Sequence, residues 1–120
     1  MENVKSYRDL IVWQRAVEVA ERVYIETKAY PKEETYGMTS QTRRAAVSVA
    51  ANIAEGHGRN STGEFVQFLG IAKGSLSELE TLIILSKRMG LLSADTSESI
   101  LKTCEEVSKM LLALRRAISK

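Results

Sequence analysis

Proline, cysteine and histidine each occur once in this chain of 120 residues, and there are only two phenylalanines and one tryptophan. Each scarcity excludes something. The lone Cys104 has no partner for an internal disulfide, and its place in an apolar row reads as a small buried hydrophobe, which suits a reducing compartment. The lone His57 rules out a histidine-rich metal site within one chain, and Ala54 stands where the glutamate of a di-iron Glu-x-x-His pair would be. Flanked by Gly56 and Gly58, His57 reads as a turn residue or a surface contact. No serine or cysteine sits in a nucleophile signature, and no phosphate-cradling glycine loop precedes a helix. The expectation is a protein that is not an enzyme, with no catalytic residue, no metal and no cofactor.

Long apolar runs are also missing. No window approaches the length needed to span a bilayer, and the opening MENVKSYRDL lacks an apolar run behind a basic patch, so a soluble cytoplasmic protein is expected. The charge total is equally spare, at +2 with 27% charged residues. Such a balance neither demands nor excludes nucleic acid, and the distribution of the charges must decide.

What the chain does hold is helix-forming sequence with almost no β-branched alternation, which predicts an all-α fold. At this length one domain is long enough to bury roughly two thirds of its unfolded surface without a staple. A first helix is expected over about 7–29, opened by a capping box of Ser6 and Asp9 and stopped by Pro31, with Leu10, Trp13, Val17, Ala20 and Tyr24 as its core stripe. A surface connection from Tyr30 to Met38, tightest at Gly37, leads to a second helix over 40–56, ended by left-handed Gly56 and Gly58. Ser61 and Glu64 open a third helix over 62–89, with Gly90 as its stop and Phe65, Phe68, Leu69, Ala72, Leu76, Leu79 and Ile83 facing the core. Leu91 and Leu92 tuck under the bundle end. Asp95 and Glu98 cap a fourth helix over 96–118, whose seam of Ile100, Cys104, Val107, Leu111, Leu114 and Ile118 suits crossing at about 20°. Short connections make this an antiparallel up-down-up-down four-helix bundle.

Helix two carries a polar row beside an apolar one. Gln41, Arg44, Ser48, Asn52 and Glu55 share a face, while Thr42, Ala46, Val49 and Ile53 share another. Small flanking residues at Ala45, Ala50, Ala51 and Ala54 favour packing of that polar face, so the row is expected to form a hydrogen-bond network in the bundle or at a subunit interface, with Arg44 and Glu55 as its charged members. Helix three offers a small face at Gly70, Gly74, Ser77 and Thr81, expected to lie against helix two. The run Leu82 to Leu85 surrounds helix three with apolar side chains, and Leu101 and Leu112 lie off the seam of helix four. Homo-oligomerisation is the economical cover for both. Arg43, Arg44 and Arg59 around helix two, Lys87 and Arg88 at the end of helix three, and Lys109, Arg115, Arg116 and Lys120 in a tail without carboxylate side chains after Glu106 are the candidate phosphate contacts. Repetition around an oligomer axis would multiply them.

Three segments, SYRDLIVWQRA, TSQTRRAAVSVAANIAEGHGR and EFVQFLGIAKGSLSELET, closely resemble the bacterial four-helix bundle proteins known as 23S rRNA intervening-sequence proteins. Gln41, Arg43, Arg44, Asn52, Glu55 and Gly56 meet the family motif residue by residue. The departure is Ala50, where the family often has a proline, which leaves helix two free to run straight. The resemblance implies a homopentamer with a central opening and genes that in some bacteria lie inside an insertion of the large rRNA gene. It also implies kinship to the accessory subunit of diversity-generating retroelements, a basic pentamer that engages a reverse transcriptase and nucleic acid. The expected function is an oligomeric nucleic-acid or ribonucleoprotein binding module using Arg43, Arg44, Arg59, Lys87, Arg88, Arg115 and Arg116. The alternative is a structural protein–protein adaptor that binds no nucleic acid. Expected partners are further copies of the chain, RNA or DNA, or a second protein, and no membrane.

Overall fold

Local caps decide where each helix begins, and the structure, a computed structural model that describes residues 5–119, shows which caps act. Ser6 and Asp9 form the expected capping box, but it closes only a 3-10 turn at Tyr7–Asp9. Leu10 is extended (φ -75°, ψ 122°) and buried, so α1 begins later than expected and spans Ile11–Thr27. The segment after Pro31 is a 3-10 turn at Lys32–Glu34 and a π turn at Thr35–Thr39 running directly into α2, Ser40–His57. It is more than a surface connection, because Tyr30 and Met38 are buried and close that end of the core. Gly37 leaves the helical region (φ -111°, ψ -110°), and the Glu34 side chain accepts from the Met38 amide at 3.2 Å.

Ser61 accepts from the Glu64 amide at 3.2 Å and opens α3, Thr62–Arg88. Gly90 (φ 77°) ends it in a Schellman turn, in which the amides of Gly90 and Leu91 donate to the carbonyls of Lys87 and Ser86. Leu92 is buried beneath that turn. Helix α4, Ala94–Ile118, is capped by Ser93, which accepts from the Thr96 amide at 3.1 Å, in place of the expected Asp95 and Glu98 pair. A serine hydroxyl already fills the role, so the helix starts ahead of residue 96.

The helices form an antiparallel four-helix bundle, with α2 and α3 the most extensively packed pair and α4 closing back onto α1. Cross-helix bonds fix the directions. Arg15 Nη2 reaches Glu106 at 2.6 Å and Arg22 Nη1 donates to Ser99 at 2.5 Å, so α1 and α4 run opposite ways. Ser48 and Ser75 hydroxyls meet at 2.9 Å, which sets the register of α2 against α3.

The middles of the α3 and α4 stripes match the sequence periodicity, with Leu69, Ala72, Leu76, Leu79 and Ile83 buried against Ile100, Cys104, Val107 and Leu111, while Phe65 and Phe68 near the start of α3 and Leu114 and Ile118 near the end of α4 are only half-buried. On α1 the phase differs. Val12, Ala16, Val19 and Val23 are buried, while Trp13, Val17 and Ala20 pack at the margin and Tyr24 is exposed. Two apolar stripes lie side by side on this helix, and the narrow bundle core takes the slimmer one. In the Leu82 to Leu85 run, Leu82 and Ile83 are buried, whereas Ile84 and Leu85 remain 47% and 42% exposed.

Two glycine expectations are corrected. Neither Gly56 nor Gly58 is left-handed, and Gly58 closes α2 at φ -81°, ψ -2°. Gly56 serves close approach instead, since a Cβ there would stand 2.6 Å from Phe68 Cβ and 3.1 Å from Phe65 Cδ1. The small face of α3 does not meet α2. A Cβ on Gly70 would face Arg115 of α4 at 3.5 Å, and one on Gly74 would meet nothing within 4 Å, because α2 docks along the Phe65, Phe68 and Ser75 side.

These two glycines predict opposite outcomes of one substitution. Gly56→Ala forces α2 from α3 and is expected to cost about 1–3 kcal/mol, while Gly74→Ala adds helix propensity in open space and is expected to stabilise the monomer unit by about 0.5–1 kcal/mol. Urea unfolding of the two variants checks both signs.

Candidate functional site

Helix α2 borders three surfaces of interest. One is the polar row, and within the chain its bonded part is short. Asn52 Nδ2 donates to the Ser48 carbonyl at 2.8 Å and to Ser48 Oγ at 3.0 Å, and Ser48 meets Ser75 across the α2/α3 contact. Arg44 and Glu55 stand outside this network. Glu55 is exposed and pairs with Arg59 one turn on at 3.1 Å, and Arg44 is exposed on the far side of Ser48. The row therefore divides because Ser48 and Asn52 face α3 at the helix contact, whereas its ends splay toward solvent.

The second surface is a polar cleft of about 550 Å³ between the start of α2 and α3, lined by Tyr36, Ser40, Gln41, Arg44, Ser48 and Glu78. Gln41 sits on its rim, exposed. Tyr36 is 94% exposed beside it, carried outward by the π turn at Gly37.

The third surface escaped the sequence reading. An apolar groove of about 570 Å³ runs between α1 and α2, walled by Trp13, Val17, Tyr24, Ile25 and Val47 and floored by Ala20, Ala50 and Ala51. Its signal in the sequence was the alanine cluster of helix two, since short side chains at 50 and 51 leave space beside the rings of α1. Helix α2 runs unbroken through Ala50.

The seven candidate phosphate contacts fall into two groups. Arg43 is committed internally, donating to Thr27 Oγ1 at 2.8 Å and lying 4.6 Å from the Tyr24 ring centre, so that it clamps α2 to the end of α1. Arg59 pairs with Glu55 and lies 4.8 Å from the Phe68 ring centre. Arg115 is half-buried along Gly70, with its Nε enclosed and unbonded. Arg44, Lys87, Arg88 and Arg116 are exposed, and among the described residues none of them is in an ion pair. Arg44, Lys87 and Arg88 lie toward the end where α2 starts and α3 stops, and Arg116 lies at the opposite end. Lys109 pairs with Glu105 at 3.5 Å, and Lys120 lies outside the described residues.

Reactive groups are few. His57 is the last residue of α2, not a turn residue, and packs edge-on against Phe65 at 5.6 Å. No group of three or more histidine, cysteine or acidic side chains is placed to hold a metal among the described residues. Burial, with Glu80 adding, pushes the Cys104 thiol up to about 12, so it holds no thiolate at neutral pH. Burial also raises the Tyr30 phenol above its ordinary value, and the neighbouring Ser86 hydroxyl opposes this without closing a hydrogen bond of normal geometry. No helix in the described residues is long and apolar enough to cross a membrane.

Fold and surfaces together define a four-helix bundle protein whose notable features lie on its exterior, and not in its core. The chain matches the 23S rRNA-intervening sequence protein family over residues 8–113 and belongs to that family. Among solved structures it is similar to a protein of unknown function from the S23 ribosomal protein family of Bacteroides thetaiotaomicron VPI-5482. The two share 26% identity and a TM-score of 0.79, over 88% of this chain and 98% of that one. Among curated proteins none matches.

The divided row predicts unequal costs. Asn52→Leu removes both bonds to Ser48, leaving the Ser48 hydroxyl with Ser75 alone, and is expected to destabilise by about 1–2 kcal/mol, whereas Glu55→Ala removes a surface pair and should move stability by no more than about 0.5 kcal/mol. Equal losses in denaturant titrations would contradict the division.

Cys104 and Tyr30 both hold their protons more tightly folded than unfolded. Their contribution is complete below the unfolded thiol value of 9.0 and lost as pH climbs toward about 12. The urea midpoint should hold steady from about neutral pH to about pH 9 and then decline, and Cys104→Ala should reduce the decline.

Proposed function

We propose that this protein is a non-enzymatic module that assembles as a homopentamer and binds nucleic acid, alone or in a ribonucleoprotein, through exposed cations. The observation that carries the reading is the set Arg44, Lys87, Arg88 and Arg116, exposed and without carboxylate partners among the described residues, while Arg43 and Arg59 are already engaged. One chain offers few such charges. Five copies around an axis would offer a positive track dense enough to hold phosphates at physiological salt. Membership in a family named for the 23S rRNA intervening sequence supports an rRNA context for the partner. The apolar groove and the exposed Ile84, Leu85 and Leu112 support assembly, because patches of this kind are costly to leave in water.

A second reading has its own observation. The groove between α1 and α2 is also shaped to take an apolar helix of another protein, which would make the bundle an adaptor with solvating cations.

Two measurements separate the readings. Light scattering coupled to size exclusion should give several times the 13.3 kDa chain mass, and a monomer at micromolar concentration would end the first reading. RNA affinity should fall steeply between about 50 and 200 mM salt, and each replacement of Arg44, Lys87, Arg88 or Arg116 by glutamine should reduce the log–log slope by roughly 0.7–0.9. Replacing Arg43 or Arg59 should leave that slope nearly unchanged. A flat salt response, or no RNA binding at low salt, favours the adaptor.

A further inference from the structure

Resting on the nucleic-acid reading above, we infer that the cleft between the start of α2 and the middle of α3 is a single-strand site, in which Tyr36 stacks on an unpaired base and Arg44 holds the adjoining phosphate. Tyr36 is the most exposed of the large apolar side chains in the described residues, at 94%, and nothing in the fold needs it there. The turn that carries it is well fixed. Glu34 bonds the Met38 amide, Thr35 Oγ1 donates to the Lys32 carbonyl at 2.7 Å, and buried Met38 anchors the next residue but one. A rigid turn thus holds an aromatic face in solvent, which is the form of a stacking platform.

The neighbours complete the chemistry. Arg44 lies exposed in the same cleft, without an ion partner among the described residues, and Ser40 and Ser48 add hydroxyls. Arg44 is the cation among the residues that line the cleft.

Glu78 decides between strand forms. A track for duplex phosphates gains nothing from a carboxylate, which would repel the backbone. A site for a splayed base uses one, because an amino group of cytosine, adenine or guanine donates to it, and Gln41 offers both a donor and an acceptor to the same edge. Stacking is available to every base, so the site is expected to be tolerant of sequence.

The test measures anisotropy of a short fluorescein-labelled RNA of mixed sequence, alone and annealed to its complement, against the intact protein, Tyr36→Ala and Tyr36→Phe. The intact protein should prefer the single strand. Tyr36→Ala should lose about 5- to 100-fold on the single strand with duplex binding and salt slope unchanged, and Tyr36→Phe should retain the affinity. If both forms of RNA bind equally and Tyr36→Ala changes neither, the stacking site is wrong while the electrostatic reading stands. If the intact protein binds no RNA at low salt, both fall. If Tyr36→Ala lowers the mass of the assembly in light scattering, the ring is a subunit contact and the inference is overturned.

Discussion

The contact between α2 and α3 at Gly56 is the constraint on which the rest of the molecule depends. With no side chain at that position, the backbone of α2 comes so near α3 that a methyl group would stand 2.6 Å from Phe68 Cβ. The approach sets the register of the two helices, and the register is what brings Ser48 to Ser75. Ser48 of the polar row is bonded to α3 at that level and holds Asn52 beside it, while Arg44 and Glu78 line the polar cleft next to them.

Helix α1 completes the core but uses only part of its own apolar surface. The valine stripe fills the interior, and the aromatic stripe is left over the alanines of α2. Arg43 holds this arrangement in place, since its guanidinium bonds Thr27 and covers Tyr24 at the end of α1. An arginine used in this way has its Nε and one Nη committed to the fold. Adjacent Arg44 points round the helix by about 100° and keeps its own donors. Neighbours in sequence thus divide between structure and binding because the helix turns between them.

Much of the architecture was legible because it is local. Ser61, Gly90 and Pro31 act through their own backbone chemistry, and the α3 and α4 stripes repeat often enough to fix their phase. What stayed hidden depends on neighbours. Trp13 and Val12 are equally apolar, and only the width of the assembled core decides which goes in. Gly56 followed by Gly58 looks like a helix stop, yet the reason for Gly56 is the close approach of Phe65 and Phe68 in another helix. Gly74 sits in a pattern that suggests a partner helix, and within the chain none comes. The Glu55–Arg59 pair was readable as a one-turn spacing, but Arg43 with Thr27 was not, because their proximity exists only after α1 and α2 fold together. The polar residues of the candidate site were visible in the sequence, while their division into bonded and open members was not.

The two large surfaces flank the same helix, and this separation bears on how one protein would assemble and bind at once. The groove lies on the α1 side of α2 and the cleft on its α3 side. In a ring such as the proposed pentamer, each copy must offer two different faces, because a cyclic interface of more than two subunits is heterologous. The groove supplies a concave apolar face, and Ile84 and Leu85 of α3 and Met89 just after it supply exposed apolar side chains elsewhere on the chain. The cleft has the opposite character, with charged and hydroxyl groups that lose more on drying than an interface returns. Assembly through apolar faces would therefore leave the cleft in water, and each added copy would repeat its cation without covering it.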